Sequence, residues 1–249
     1  MALTNDNLAD IIVNTSLIDI VADKIRSNIL DGTYEPGQKL IVKDIESEMN
    51  VSQTPIKAAL HRLVVEGYVE ALPRRSMVVK QVTYEEYELN MELRLILEMS
   101  VVPEVIRHSK EVPELITGME DDLAKMKKIL ESASGDKIDS RGWLEHDFSF
   151  HKRYVDVHPN VQLRAVYAGL RANVSGFFAF LNNMKHPLTI SHLTLDYTEH
   201  VHILSAIKEH SADKLSNAIM QHITRPRIPE KGVSEVQKRI GRLNLGEGM

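Results

Sequence analysis

The spacing of apolar residues changes near residues 81–84, and this change limits the chain to few folds. Before it, helical stretches are followed by two strand-like runs at 68–72 and 76–80. After it, the strand signals fade and apolar residues keep helical spacing to about residue 223. The sequence therefore predicts a mostly α protein with two domains and a basic tail, bounded at 1–82, 83–224 and 225–249.

The first domain has the order helix, helix, helix, hairpin, which is a winged helix-turn-helix arrangement. The third helix has the clearest signals, because Thr54 is expected to be its N-cap, Pro55 its first residue and Gly67 its end. A hairpin with Arg74 and Arg75 at its tip follows this helix. These signals place a short basic wing next to a helix-turn-helix pair.

The second domain is predicted to be an all-α antiparallel helical bundle. Its amphipathic stretches are separated by short loops that contain proline, serine or glycine, and short loops favour antiparallel neighbours. Helices are expected over 84–109, 113–131, 141–157, 160–182, 187–210 and 212–223. The predicted fold class is therefore an N-terminal winged helix-turn-helix followed by a C-terminal helical bundle.

Composition excludes several kinds of site and partner. The 249 residues contain no cysteine, so any metal must be held by carboxylates and by some of the eleven histidines. No apolar run approaches the roughly 18 residues of a membrane span, and no signal peptide is recognisable, so we expect a cytoplasmic protein without a membrane partner. The net charge of −5 argues against nucleic acid, but residues 51–80 carry five basic and two acidic side chains.

The third helix and the hairpin tip predict a DNA-reading surface. In a helix-turn-helix the second helix of the pair enters the major groove. Gln53, Lys57 and His61 lie on one stripe of this helix; glutamine can pair with adenine, and lysine can reach guanine or phosphate. Arg74 and Arg75 suit contacts with the DNA backbone or the minor groove. The alternative is a winged-helix domain that binds protein and leaves these charges solvated.

Four side chains on apolar helical faces predict a metal site in the second domain. Asp147 and His151 are separated by one helical turn, whereas His200 and His222 lie on the apolar faces of two later helices. A carboxylate that faces a core is costly unless it is paired or binds a metal. This donor set suits Zn²⁺, with Ni²⁺ or Mn²⁺ as alternatives. The residues alone leave two alternatives open: the histidines are ordinary core residues, and Asp147 and His151 form a simple hydrogen bond without a metal.

Several motifs resemble a known family of bacterial proteins. PGQKL at 36–40 and VSQTPIKAALHRLVVEG at 51–67 are similar to the DNA-binding domain of GntR-family transcription regulators. The second domain resembles the helical ligand-binding domain of the FadR-type subfamily, the FCD domain, in the stretches 92–98, 147–151, 199–207 and 218–222. Six helices in this domain resemble the VanR-like branch.

The resemblance implies roles for individual residues. The FCD pattern implies that Asp147, His151, His200 and His222 bind the divalent metal and that Arg94 helps to hold a small organic acid. The alternative for Arg94 is an ion pair with Glu98, four residues along the same helix. We expect DNA contacts from Lys43, Gln53, Thr54, Lys57, His61, Arg74 and Arg75. The chain departs from the family pattern at Gln53, Lys57, Ala58 and Ser76. We therefore expect the family's fold but not its usual operator sequence.

Together these inferences predict a transcription regulator, a homodimeric repressor that binds a double-stranded DNA operator and is controlled by a small carboxylate effector at the metal site. It is not expected to be an enzyme. Two other readings remain: a metal-dependent hydrolase or lyase that uses the three histidines and the aspartate, and an interaction module without metal.

Overall fold

The structure is a computed structural model that describes residues 5–73, 76–133, 138–170, 189–225 and Lys238. The predicted wing contacts Arg74 and Arg75, and nearly all of the predicted basic tail, lie outside these residues. The elements are α1 Asn5–Leu30, α2 Val42–Met49, α3 Gln53–Val65, β1 Val69–Leu72, β2 Ser76–Val79, α4 Tyr84–His108, α5 Pro113–Ser132, α6 Ser140–Val155, α7 Val161–Gly169, α8 Ile190–Lys208 and α9 Ala212–Thr224. Contacts divide the chain into two units, with a break between Thr83 and Tyr84.

In the first unit, α1 and α2 pack against α3. Ile25 of α1 and Ile56, Leu60 and Leu63 of α3 are almost completely buried. Apolar residues that recur every three or four positions predict this buried face. Helix α3 begins at Gln53 with Ser52 as its N-cap residue, so the assignment of Thr54 as the cap is wrong. Pro55 is tolerated at the third position because the first four N–H groups of a helix have no partner within the helix.

The wing is an antiparallel hairpin in which Val69 lies opposite Val79, and Leu72 opposite Ser76. The segment just before α2 adds to its edge, since the Gly37 N–H donates to the Val79 carbonyl at 2.9 Å. Gly37 has φ +81°, a conformation that glycine adopts without steric cost, which explains a glycine at this turn. The predicted order of helix-turn-helix and wing is confirmed.

The second unit is a bundle in which α5 packs on α6 and α8, and α9 packs on α4 and α8. Its core is rich in large side chains, among them Trp143, Phe150 and Tyr154, each at most 1% exposed. The mostly α fold class is confirmed. The helix predicted over 160–182 instead ends at Gly169, a residue of low helix propensity, and 171–182 lies outside the described residues. Among the described helices, none combines the length and apolarity needed to cross a bilayer.

Candidate functional site

The four predicted metal ligands meet inside the second unit. One ligand atom from each of Asp147, His151, His200 and His222 lies within 4.8 Å of those of the other three. The His151 Nε2 and His200 Nε2 atoms are 2.9 Å apart, and the Asp147 Oδ1 atom is 3.1 Å from His200 Nε2. All three imidazoles are fully buried, and Asp147 is 8% exposed. Helical spacing therefore identified side chains that converge in space.

The rings are held by packing as well as by their helices. Asp147 and His151 come from adjacent turns of α6, His200 from α8 and His222 from α9. The buried Phe150 presents its ring at right angles to His200, with centroids 4.8 Å apart, and to His151 at 5.4 Å. His151 also stacks on His222 at 4.9 Å. These contacts fix the rings before any ligand binds, which lowers the entropic cost of binding.

Each imidazole has an oxygen acceptor at its Nδ1 atom. The acceptors are Glu98 Oε2 for His151 at 3.1 Å, the Asp196 backbone carbonyl for His200 at 2.6 Å and Glu199 Oε2 for His222 at 2.9 Å. An acceptor at Nδ1 retains the proton there and leaves the Nε2 lone pair for a metal. For each ring, the tautomer with its proton on Nδ1 is therefore the one that these acceptors favour, and it binds metal through Nε2.

The arrangement fits a divalent cation. With protons on Nδ1, the Nε2 atoms of His151 and His200 face each other as two acceptors, and the Asp147 carboxylate adds a third. Such close acceptors repel one another unless a positive charge lies among them. Three imidazoles and a carboxylate are a common donor set for Zn²⁺ and are also used by Ni²⁺ and Mn²⁺.

The electrostatics favour the deprotonated ligands. Burial lowers the pKa of His151 to about 4, and the positive charge of Arg94 acts in the same direction. Burial opposes the charged form of Asp147, but the pKa of this carboxyl is held well below its usual range by a hydrogen bond and charge from His200 when that ring carries a proton on Nε2 and no metal is bound, and by the positive charge of Arg94 in either case. At neutral pH His151 is therefore neutral and Asp147 is ionised, as metal binding requires.

Arg94 lies 6% exposed next to this cluster. Its Nε atom donates to Glu98 Oε1 at 2.7 Å, so the ion pair considered as its alternative role is present. Its Nη2 atom is buried without a hydrogen-bond partner among the described residues. Asp147 is one of the charges that raise the pKa of Arg94, so the guanidinium is within electrostatic reach of the predicted metal ligands. The second role, binding of an acid, stays a prediction.

Several polar partners of these residues were not among the predicted site residues. Asp196, Glu199 and His222 form a second cluster of possible ligands, but Arg225 already donates to both carboxylates, at 2.7 Å from its Nε to Glu199 Oε1. That group is an ion-pair network that orients His222. Asp196 and Glu199 lie four residues and one residue before His200, and this spacing is the only sequence signal that could have identified them as partners of the site.

The predicted DNA-reading residues have different environments. Thr54, Lys57 and His61 are exposed on α3, and Lys43 is exposed on α2. Gln53 is half-buried, and its Nε2 atom donates to Glu46 Oε2 of α2 at 2.8 Å. This bond orients the Gln53 amide, which was predicted to contact a base. The DNA contacts of these residues stay predictions.

Two family models match the chain. The model described as bacterial regulatory proteins of the gntR family matches residues 17–79, and the FCD domain model matches residues 90–225. Among curated relatives, the Nta operon transcriptional regulator of Aminobacter aminovorans is 22% identical over 191 residues, which are 76% of this chain and 83% of that protein. The HTH-type transcriptional regulator YdhC of Bacillus subtilis (strain 168) is 22% identical over 206 residues, which are 80% of this chain and 84% of YdhC.

Solved structures agree on the fold. E. coli McbR/YncC has a TM-score of 0.66 at 17% identity and covers 93% of this chain and 99% of its own. A GntR transcriptional regulator from Rhodococcus sp. RHA1 has a TM-score of 0.65 at 17% identity and covers 90% of this chain and 98% of its own.

These findings decide between the functional classes left open by the sequence. The matching families and the curated relatives are regulators of transcription and not enzymes, so the reading as a hydrolase or lyase is set aside. The prediction of a DNA-binding transcription regulator is confirmed. The chain belongs to the GntR family of bacterial regulatory proteins, with an FCD domain after its DNA-binding domain.

Proposed function

We propose that this regulator is a cytoplasmic homodimeric repressor whose operator affinity is controlled by a small organic acid bound at a divalent metal. The observation that carries the proposal is the buried cluster of Asp147, His151, His200 and His222, with all four ligand atoms within 4.8 Å. A cation among these buried acceptors would offset the cost of burying them at this spacing. The donor set favours Zn²⁺, with Ni²⁺ and Mn²⁺ as the other candidates.

The acid is proposed because a second buried charge lies beside the ligands. A divalent metal held by four side chains supplies a positive centre, and it has a position left for water or a carboxylate when it is five- or six-coordinate. The buried Nη2 atom of Arg94 offers a donor to the same carboxylate, and arginine binds carboxylates through charge-assisted hydrogen bonds. Both groups select for an anion, so a neutral metabolite would leave one of them unsatisfied.

Control of DNA binding then requires that acid binding favours one arrangement of the protein over another. A two-fold symmetric dimer matches two operator half-sites, so a change in the spacing of the paired winged helices changes operator affinity. A ligand of this kind changes affinity by a coupling free energy of about 1–3 kcal/mol, or roughly 5–150-fold.

The test uses full-length protein, stripped of metal with a chelator, and an operator selected from a random DNA library. Operator affinity is measured by fluorescence anisotropy with and without Zn²⁺, against a panel of small mono-, di- and hydroxycarboxylic acids. We expect at least one acid to weaken operator binding by the factor above, and only in the metal-loaded protein. Equal operator affinity under all of these conditions would contradict the proposal.

Lys57 provides a separate test of the DNA-reading surface. Replacement of Lys57 by alanine removes an exposed positive charge from α3, so operator affinity is expected to fall. If Lys57 contacts a phosphate, the slope of log K against log salt should also decrease by about 1. The matched control is Lys128→Ala, which removes another exposed lysine charge, from α5 in the other unit. Equal effects of the two substitutions would mean that α3 does not face DNA.

A further inference from the structure

We propose that Glu98 is a positioning residue that fixes the metal ligand His151 and the guanidinium of Arg94 through one shared carboxylate. The metal affinity of the protein would then depend on a side chain that is not itself a ligand. This inference rests on the proposed metal site and adds to it a residue on α4, the helix that begins immediately after the DNA-binding unit.

Glu98 is completely buried and accepts hydrogen bonds from four side chains. Its Oε1 atom accepts from Arg94 Nε and from the Tyr167 hydroxyl, each at 2.7 Å. Its Oε2 atom accepts from His151 Nδ1 at 3.1 Å and from the Tyr154 hydroxyl. The donors come from α4, α6 and α7, so the carboxylate is immobilised by three helices. A buried charge that is this fully satisfied can orient the groups bonded to it.

The contact with His151 differs from those of the other two imidazoles. His200 uses the backbone carbonyl of Asp196, in its own helix, and needs no side chain for its orientation. His222 uses Glu199, a carboxylate that is also bonded to Arg225. His151 alone among these three is held by a fully buried carboxylate from a different helix. A carboxylate at Nδ1 both orients the ring and strengthens Nε2 as a ligand.

Two buried tyrosines distinguish the two sides of the carboxylate. The Tyr154 hydroxyl bonds to Oε2 and also lies 2.7 Å from His151 Nδ1, so it belongs to the side that faces the metal ligand. The Tyr167 hydroxyl bonds to Oε1, the oxygen shared with Arg94, and the Tyr167 ring stacks on Phe148. Removal of either hydroxyl removes one hydrogen bond to Glu98. Only removal of the Tyr154 hydroxyl removes a bond to Oε2, the oxygen that contacts His151.

The test measures Co²⁺ binding to full-length protein after the native metal has been removed. The affinity is obtained by competition with a chelator, and the visible absorption bands of Co²⁺ report the geometry of its ligands. Glu98→Gln should weaken Co²⁺ binding about 10–100-fold and change these bands. Tyr154→Phe should shift the affinity in the same direction, and by more than Tyr167→Phe, because only the Tyr154 hydroxyl bonds to the oxygen that contacts His151.

The outcomes separate this inference from the metal site on which it rests. If wild-type protein binds no Co²⁺, the proposed metal site is wrong, and so is the proposed role of Glu98. Wild-type and Glu98→Gln proteins with equal affinities and equal spectra would overturn the role of Glu98 and retain the site. If circular dichroism shows that Glu98→Gln does not fold, Tyr154→Phe and Tyr167→Phe decide the question, since equal affinities in this pair would also overturn it.

Discussion

Replacement of His200 by alanine is expected to remove the thermal stabilisation that Zn²⁺ gives to the wild-type protein. A ligand present at 100 times its Kd stabilises the folded state by about 2.7 kcal/mol, which corresponds to a Tm increase of roughly 5–10 °C for a domain of this size. His200 Nε2 is close to two other ligand atoms, so its loss opens the centre of the cluster. The measurement is a thermal melt of chelator-treated protein titrated with Zn²⁺.

His202→Ala is the matched control for this experiment. His202 has the same side chain on the same helix, but it is exposed, because two residues of helix turn it to another face. Each variant is compared with its own metal-free form, so a general loss of stability cancels. A full Zn²⁺-dependent shift in His200→Ala, or the loss of the shift in His202→Ala, would show that the metal binds elsewhere.

The sequence was sufficient to predict that these four side chains converge because helical geometry is local. The i, i+4 spacing of Asp147 and His151 fixes their common face. His200 and His222 lie among apolar residues that had to be buried, and burial brings such faces together in a bundle. A periodic pattern therefore predicts which side chains point inward, and the small size of a bundle core makes inward-pointing ligands meet.

The hydrogen-bond partners of those four side chains could not be predicted in the same way. Glu98 reaches His151 from 53 positions earlier in the chain, and Arg225 reaches Glu199 from 26 positions later. No spacing rule connects residues on helices that are so far apart in sequence. Glu98 was marked only by its ion pair with Arg94, and nothing in the pattern of α7 marked Tyr167 as its second donor.

The N-terminal unit gives a similar contrast at short range. The turn at Gly37 and the termination of α3 two residues before Gly67 follow from local backbone preferences, and both glycines have positive φ. The start of α3 was misplaced by two residues because Ser52 and Thr54 are both good N-cap residues, and proline is accepted throughout the first turn. The bond between Gln53 and Glu46 depends on how α2 packs on α3, so sequence spacing alone did not reveal it.

Arg94→Met is expected to destabilise the protein by about 3–5 kcal/mol, because it leaves the buried carboxylate of Glu98 without its charged partner. Both side chains are almost fully buried, so water does not replace the lost ion pair. The free energy of unfolding is measured by urea denaturation of the metal-free protein. The double variant Arg94→Met, Glu98→Gln removes both charges and should recover a large part of the loss.

The double variant separates the two roles of Arg94. Since it removes the charges of Arg94 and Glu98 together, it should fold and still bind the selected operator, but it lacks the arginine that is proposed to hold the acid. At a Zn²⁺ concentration that saturates the Glu98→Gln single variant, which keeps Arg94 and serves as the control, we therefore expect the double variant to have an operator affinity that no longer responds to acids that act on the wild-type protein. If the double variant responds as the wild type does, Arg94 is only the ion-pair partner of Glu98, and the acid must be bound by the metal without it.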